Sequence, residues 1–333
     1  MTTLRVGGPA RRLVAVCDEA DLVRRVLAAD DAGESLLLLG GGSNVVVSDE
    51  GFPGDVLLVR THGVDRVEGC GASQVVVAAG EDWDDLVAYT VEQQLAGLEC
   101  LSGIPGSVGA TPIQNVGAYG QEVADVISRV RVLDRVTGEI RELLPAQCGF
   151  AYRDSVFKRR PDRYVVLEVA FRLERTGSSQ PIRYPELARS LGVGVGDRAP
   201  LGKVREAVLA LRGGKGMVLD AADHDTWSAG SFFTNPVVDP AVADALPDDA
   251  PAFPAAGGIK VSAAWLIDNA GFGRGYGLPG AVSLSTKHTL ALTNRGSART
   301  EDLLELARRI RDGVADRFGI VLVPEPVFIG CSL

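Results

Sequence analysis

LSGIPGSVGATPIQNVGAYGQEV, residues 101–123, decides how this chain is to be read. Gly103, Gly106, Gly109, Gly117 and Gly120, with Pro105 and Pro112, make it a poor helix and a poor strand. Its only charged residue is Glu122. A nearly uncharged loop of roughly 20 residues is uncommon in a compact domain unless it is functional. Glycine lets extended backbone press against a flat ligand. Gln114, Asn115 and Tyr119 add neutral hydrogen-bonding groups suited to an isoalloxazine edge or an amide ligand. The alternative is an irregular loop under a sheet.

Upstream, SLLLLGGGSN (35–44) is an apolar run ending in three glycines. Four leucines without alternation predict a strand covered on both faces, and VLLV (56–59) and QVVVAAG (74–80) read the same way. In GGGSN, backbone N–H groups freed by glycine can turn together around a phosphate, with Ser43 and Asn44 adding hydrogen bonds. A tight turn after a strand is the plainer alternative. The stretch is neither GxGxxG nor a Walker loop. Helical spacing appears at 18–30, with Asp18 as N-cap, and at 81–94 through Trp83, Leu86, Val87 and Val91.

Downstream the period shortens to that of strands. RVRVLDRVTGEIREL (129–143) predicts two strands turning near Thr137-Gly138. YVVLEVAFRLE (164–174) alternates as a half-buried strand. Polar passages at 174–181 and 192–200 suggest a domain boundary within 174–204. Helices follow: KVREAVLALRGGKG; 262–272 with Ser262 as cap and Gly271 as stop; and 300–318 with apolar residues three or four apart. The class is α+β with mixed sheets, in at least two domains.

Composition narrows the function. With 333 residues, 46% of them hydrophobic, the chain can build a sizeable core. A net charge of −9 argues against nucleic acid as a partner but not against an anionic small molecule. The five cysteines (Cys17, Cys70, Cys100, Cys148 and Cys331) are widely spaced and contain no CxxC pair. They predict neither a disulfide framework nor a metal site, and a reducing compartment. No signal peptide or membrane-spanning run is visible, so a cytoplasmic location without membrane insertion is expected, and no obligate protein partner is evident.

Two further stretches offer chemistry. In FAYRDSVFKRR (150–160), Arg153 follows Phe150 and Tyr152, which could hold its stem while the guanidinium meets a carboxylate; a solvated charged face is the alternative. In WSAGSFFTNP (227–236), Ser231 stands outside any nucleophile-elbow motif, in a chain with only 3 histidines. Its hydroxyl is either a buried structural group or an acid of a less familiar kind.

The ordered set GGGSN, GIPGSVGATPIQNVGAYG, YRDSVFK, GSFFTNP and PEPVFIG resembles the UDP-N-acetylenolpyruvoylglucosamine reductase (MurB) family, in its tyrosine-loop subtype, over practically the whole chain. The resemblance implies an FAD-binding fold of the vanillyl-alcohol-oxidase (PCMH) type in two subdomains, 1–60 and 61–200. An α+β substrate-binding domain, 201–333, would follow, its tail returning Glu325 to the active site. It implies NADPH-dependent reduction of UDP-N-acetylglucosamine enolpyruvate to UDP-N-acetylmuramate in peptidoglycan synthesis, with hydride from flavin N5 and a proton from Ser231. Gly40, Gly41, Gly42, Ser43 and Asn44 would hold the FAD pyrophosphate. Ile104, Pro105, Gly106, Ser107 and Gly109, then Gln114, Asn115, Gly117, Ala118 and Tyr119, would line the flavin.

By position in the motifs, Arg153, Ser231 and Glu325 match the family's catalytic residues, and Asn235 its substrate asparagine. Tyr184, Lys215 and His288 resemble groups that grip the UDP-sugar. Two departures stand out. Thr234 replaces a frequent lysine, and Pro326 follows Glu325 where valine is usual, which would tilt the backbone there. A sugar or alcohol oxidase of the same FAD-binding type, and a flavin-free nucleotide-sugar binding protein, are the alternatives.

Overall fold

The computed structural model describes residues 2–69 and 71–333; Met1 and Cys70 lie outside the described residues. The chain forms two compact units, each made of discontinuous segments. One comprises Ala10–Gly41 and Pro53–Gly213; the other comprises Met1–Pro9, Gly42–Phe52 and Gly214–Leu333. Among the described residues no helix is long and apolar enough to cross a membrane.

In the first unit, Leu36–Leu39 pairs in parallel with Phe52–Val59, and Ala10–Val16 lies on the other side of Phe52–Val59. The leucine run is therefore an edge strand. Leu36, Leu37 and Leu38 are half-buried rather than covered on both faces, and only Leu39 is buried. The central strand takes the burial instead, at Val56, Leu57 and Val59.

A larger antiparallel sheet runs in the order Glu139–Leu143, Ile127–Asp134, Tyr164–Arg175, Ala72–Ala78, Val64–Glu68. The predicted hairpin closes at the Asp134–Glu139 pair, with Gly138 at φ 71° taking the left-handed position that other residues resist. Tyr164–Arg175 is central, and residues of both parities, Val165 to Leu167 and Val169 to Phe171, are buried. The expected half-burial does not hold there. Conversely, Ala72–Ala78 alternates: Ser73, Val75 and Val77 are buried while their neighbours are half-open, so it is covered on one face only.

Helix Glu19–Ala32 begins at Asp18, whose side chain accepts from Asp21 N, and ends at left-handed Gly33. Helix Trp83–Glu92 is capped by Asp82. Helix Leu201–Gly214 closes this unit.

The second unit packs helices Ala263–Asn269 and Thr300–Phe318 in a core with Leu4, Val46, Phe232 and Phe233. Ser262 caps the first helix through Trp265 N, as the sequence predicts. The second is capped from afar, with Asp49 Oδ1 accepting from Thr300 N at 2.9 Å. Antiparallel strands Val282–Leu284 and Leu292–Asn294 pair, and the tail strand Val327–Ile329 runs parallel to Val45–Val47.

Candidate active site

In the first unit the two glycine-rich stretches meet. A Cβ on Gly41 would stand 2.6 Å from Gly106 Cα, and one on Gly40 would stand 2.3 Å from Ser107 Oγ. Such backbone contact is open only to glycine. Arg60 Nη1 donates to Gly40 O at 3.1 Å. On the other side, Trp83 N donates to Gly106 O at 3.1 Å, and Gly109 N to Ala79 O at 2.9 Å. Beside this contact Ile104 is half-buried and Pro105 exposed. The loop is thus pinned along its backbone, leaving it no regular structure beyond short 3-10 turns and two-residue strands such as Gly117–Ala118.

Strain concentrates on this loop. Asn115 (φ 46°), Tyr119 (φ 49°) and Arg153 (φ 53°) are among only five non-glycine residues with positive φ in the described chain. Such left-handed residues cost on the order of 1–3 kcal/mol each and collect at functional sites. Asn115 and Arg153 are held by hydrogen bonds. Asn115 Nδ2 donates to Glu122 Oε2 (2.7 Å) and Ala151 O (3.0 Å), and its Oδ1 accepts from Ala124 N (3.1 Å). Arg153 Nη2 donates to Gly117 O at 2.6 Å, and its guanidinium lies 5.3 Å from the Tyr152 ring. Gln114 and Ala118 are half-buried beside them. The Tyr119 ring meets Tyr184 edge-on, centroids 5.4 Å apart. Burial pushes the Tyr119 phenol up to about 12, so it stays a neutral donor.

The second unit gathers the remaining residues. Phe232 and Phe233 are buried and fix half-buried Ser231 between them and left-handed Gly230. Glu325 N donates to Phe232 O at 2.9 Å, which sets the glutamate segment beside the serine segment. Asn44 Nδ2 donates to Glu325 O at 3.4 Å, and Val327 N to Asn44 O at 3.0 Å. Pro326 sits between two bonded amides, so its missing N–H takes nothing from this ladder. Thr234 donates through both its N–H and its hydroxyl to Val323 O (3.0 and 3.3 Å).

Phe232 N donates to Leu290 O at 2.8 Å, which brings in His288, whose Nδ1 accepts from Leu290 N at 3.4 Å. Asn235 Oδ1 accepts from Ala263 N at 2.9 Å, so it braces a helix start. Half-buried Lys215 precedes Gly216, which lies against Asp225. Gly42, left-handed at φ 64°, gives its carbonyl to Thr3 N at 3.1 Å, ahead of Ser43 and Asn44.

The chain matches the family model described as UDP-N-acetylenolpyruvoylglucosamine reductase, C-terminal domain, over residues 221–329, and an FAD binding domain over residues 10–144. It is 60% identical to UDP-N-acetylenolpyruvoylglucosamine reductase of Salinispora arenicola, covering 100% of this chain and 94% of that protein. The chain belongs to the UDP-N-acetylenolpyruvoylglucosamine reductase family. The reductase of Cutibacterium acnes is 55% identical, over 100% of this chain and 89% of its own length. The crystal structure of the Thermus caldophilus member (MurB) superposes with a TM-score of 0.68 at 27% identity, covering 98% of this chain and 95% of that one. With the FAD-binding domain match, this settles the fold as α+β with an FAD-binding part.

Residues of this family member fit a flavin nucleotide. A loop opened by Gly40 to Gly42 and one edged by strained Asn115 and Tyr119 offer close-approach backbone and neutral donors. Among the described residues no group of three or more His, Cys, Asp and Glu side chains is set to hold a metal ion. Sequence reasoning missed the supports of this site. Asp84 accepts from Gly103 N at 2.6 Å and pairs with both Arg205 nitrogens at 2.6 and 2.9 Å. Buried Asp225 accepts from Thr286 N (2.9 Å) and Arg295 Nη2 (2.8 Å). Neither carries a local signal, because the partners are far apart in the chain.

Proposed function

We propose that this chain reduces the enolpyruvyl ether of UDP-N-acetylglucosamine to UDP-N-acetylmuramate for peptidoglycan synthesis, with FAD bound and NADPH as reductant. Its FAD-binding part is built mainly on Ala10–Gly41 with Pro53–Gly213, and Gly214–Leu333 carries most of the grip on the sugar nucleotide. Bound flavin supplies the hydride that NADPH provides. The chain's own groups do the rest. Backbone at Gly40 to Asn44 takes the pyrophosphate, and the 104–119 segment presents carbonyls, amides and the Tyr119 phenol to the ring. Arg153 offers a planar two-pronged donor to the substrate carboxylate, where negative charge grows during reduction.

Ser231 gives its hydroxyl proton to the carbon next to that carboxylate. A serine hydroxyl is a weak acid, but a carbanion is a strong base, so no histidine is required. Glu325 shares in holding the charged intermediate, and Tyr184, Lys215, Asn235 and His288 hold the sugar nucleotide. The Phe232–Glu325 backbone bond supports this most directly, because it aligns Ser231 and Glu325 from distant stretches. The widely spaced free thiols Cys17, Cys100, Cys148 and Cys331 fit a reducing cytoplasm.

The test is NADPH oxidation by purified, flavin-loaded protein with and without UDP-N-acetylglucosamine enolpyruvate. Sugar-dependent consumption and a product two hydrogens heavier are expected. Oxygen-dependent NADPH oxidation indifferent to the sugar nucleotide would overturn the reading.

A further inference from the structure

Glu99 is a fully buried carboxylate, 0% exposed, that the reaction above does not use. It lies in the short 3-10 turn Glu99–Leu101, just ahead of the glycine-rich loop. Three N–H donors converge on it, one from two residues upstream and two from distant parts of the first unit. Gly97 N donates to Oε2 at 2.6 Å; Gln121 Nε2 and Gln180 N donate to Oε1 at 2.9 and 2.8 Å. Gln121 Oε1 in turn accepts from Cys100 N at 2.9 Å. Gln121 is two residues past Tyr119, and Gln180 four residues before Tyr184.

The two segments tied through Glu99 touch again beyond it. A Cβ on Gly120 would stand 2.9 Å from Arg183 Cβ, and the Tyr119 and Tyr184 rings meet at 87°. Tyr184 is 42% exposed, and helix Pro185–Leu191, which it precedes, has no side-chain cap bond. Its position therefore depends on how residues 180–183 are seated.

We infer that Glu99 is a positioning residue for sugar-nucleotide binding: its carboxylate locks Tyr184 against Tyr119. This rests on the function proposed above. Two carboxylate oxygens take all three donors, whereas an amide presents one oxygen and an NH2. Glu99→Gln would leave at least one buried N–H facing another donor, a costly arrangement. The flavin-lining segment has anchors of its own, from Gly106 O to Trp83 N, from Gly109 N to Ala79 O and from Asn115 to Ala151. The defect should therefore fall on the sugar nucleotide and not on the flavin.

The experiment titrates flavin-loaded wild type and Glu99→Gln with UDP-N-acetylmuramate, following the flavin spectrum, and measures FAD affinity separately. Product Kd should rise on the order of tenfold, the size expected for one poorly met buried group. FAD affinity should stay within about twofold. If Glu99→Gln yields no folded protein, Gln121→Met, which removes one donor, should raise product Kd by about threefold or more. Unchanged product affinity, or an equal loss of FAD affinity, overturns the inference. Wild type that binds no product removes the parent function and this inference together; wild type that binds normally, beside an unaffected variant, removes the clamp alone.

Discussion

Gly41→Ala probes the flavin site at a single atom. Gly41 does not need a left-handed backbone, so alanine is torsionally allowed. The added Cβ would lie 2.6 Å from Gly106 Cα, 3.1 Å from its C and 3.3 Å from its N. Carbon atoms rest about 3.5–4.0 Å apart, so the 40–44 turn must retreat by roughly 1 Å. Gly106 cannot yield easily, because its carbonyl is bonded to Trp83 N at 3.1 Å. Overpacking of this kind costs about 1–3 kcal/mol. A hydrogen bond near 2.9 Å stretched by roughly 1 Å is effectively lost, so FAD should bind at least about tenfold more weakly. The assay is flavin absorbance per protein after dialysis, with titration of the apoprotein by FAD. Gly202→Ala is the control: nothing lies within 4 Å of its Cβ, and it sits in helix Leu201–Gly214. There alanine should add about 0.5–1 kcal/mol of stability and leave FAD untouched. Gly41→Ala with full flavin content and FAD affinity within twofold of wild type would refute the close-approach argument.

Two other outcomes follow from the same geometry. Arg153→Lys loses the planar fork that reaches Gly117 O, so single-turnover reduction of the sugar nucleotide should fall by about 10²-fold while flavin reduction by NADPH changes little; equal effects on both half-reactions would contradict this. Burial pushes the Asp225 carboxyl up, but the Thr286 hydroxyl and N–H and the Arg295 guanidinium outweigh it, so its folded pKa is depressed. Its stabilising contribution is therefore complete above the unfolded value near 3.9 and is lost as pH falls through the folded value. Thermal melts between about pH 5 and pH 3 should consequently drop more steeply for wild type than for Asp225→Asn.

Elements set by local pattern were legible in the sequence. Asp18 and Ser262 cap the helices they were expected to cap, and the 129–143 hairpin turns where Gly138 permits. Burial was less legible, because it depends on a strand's place in its sheet. Leu36–Leu39 reads as core but lies at an edge, while Tyr164–Arg175 alternates in sequence yet runs through the middle. The break read within 174–204, and the boundaries at 60 and 200 that the resemblance implies, follow chain continuity. The compact units instead exchange segments at 9/10, 41/42, 52/53 and 213/214. Pairing of Val45–Val47 with Val327–Ile329 draws 42–52 into the unit of the tail, and no periodicity announces a parallel pair so distant. The motif residues were visible in order, but Asp84, Glu99 and Asp225 were not, since each draws its meaning from donors brought in by the fold.

The proton is the most exposed part of the proposed chemistry. Reduced flavoprotein is mixed with UDP-N-acetylglucosamine enolpyruvate in a stopped-flow cell, and flavin reoxidation is followed in wild type and Ser231→Ala. If Ser231 supplies the proton, the variant should accept electrons from NADPH normally yet pass them to the sugar nucleotide about 10²–10⁴ times more slowly. Near-normal reoxidation in Ser231→Ala, with UDP-N-acetylmuramate formed, would show that the proton comes from elsewhere.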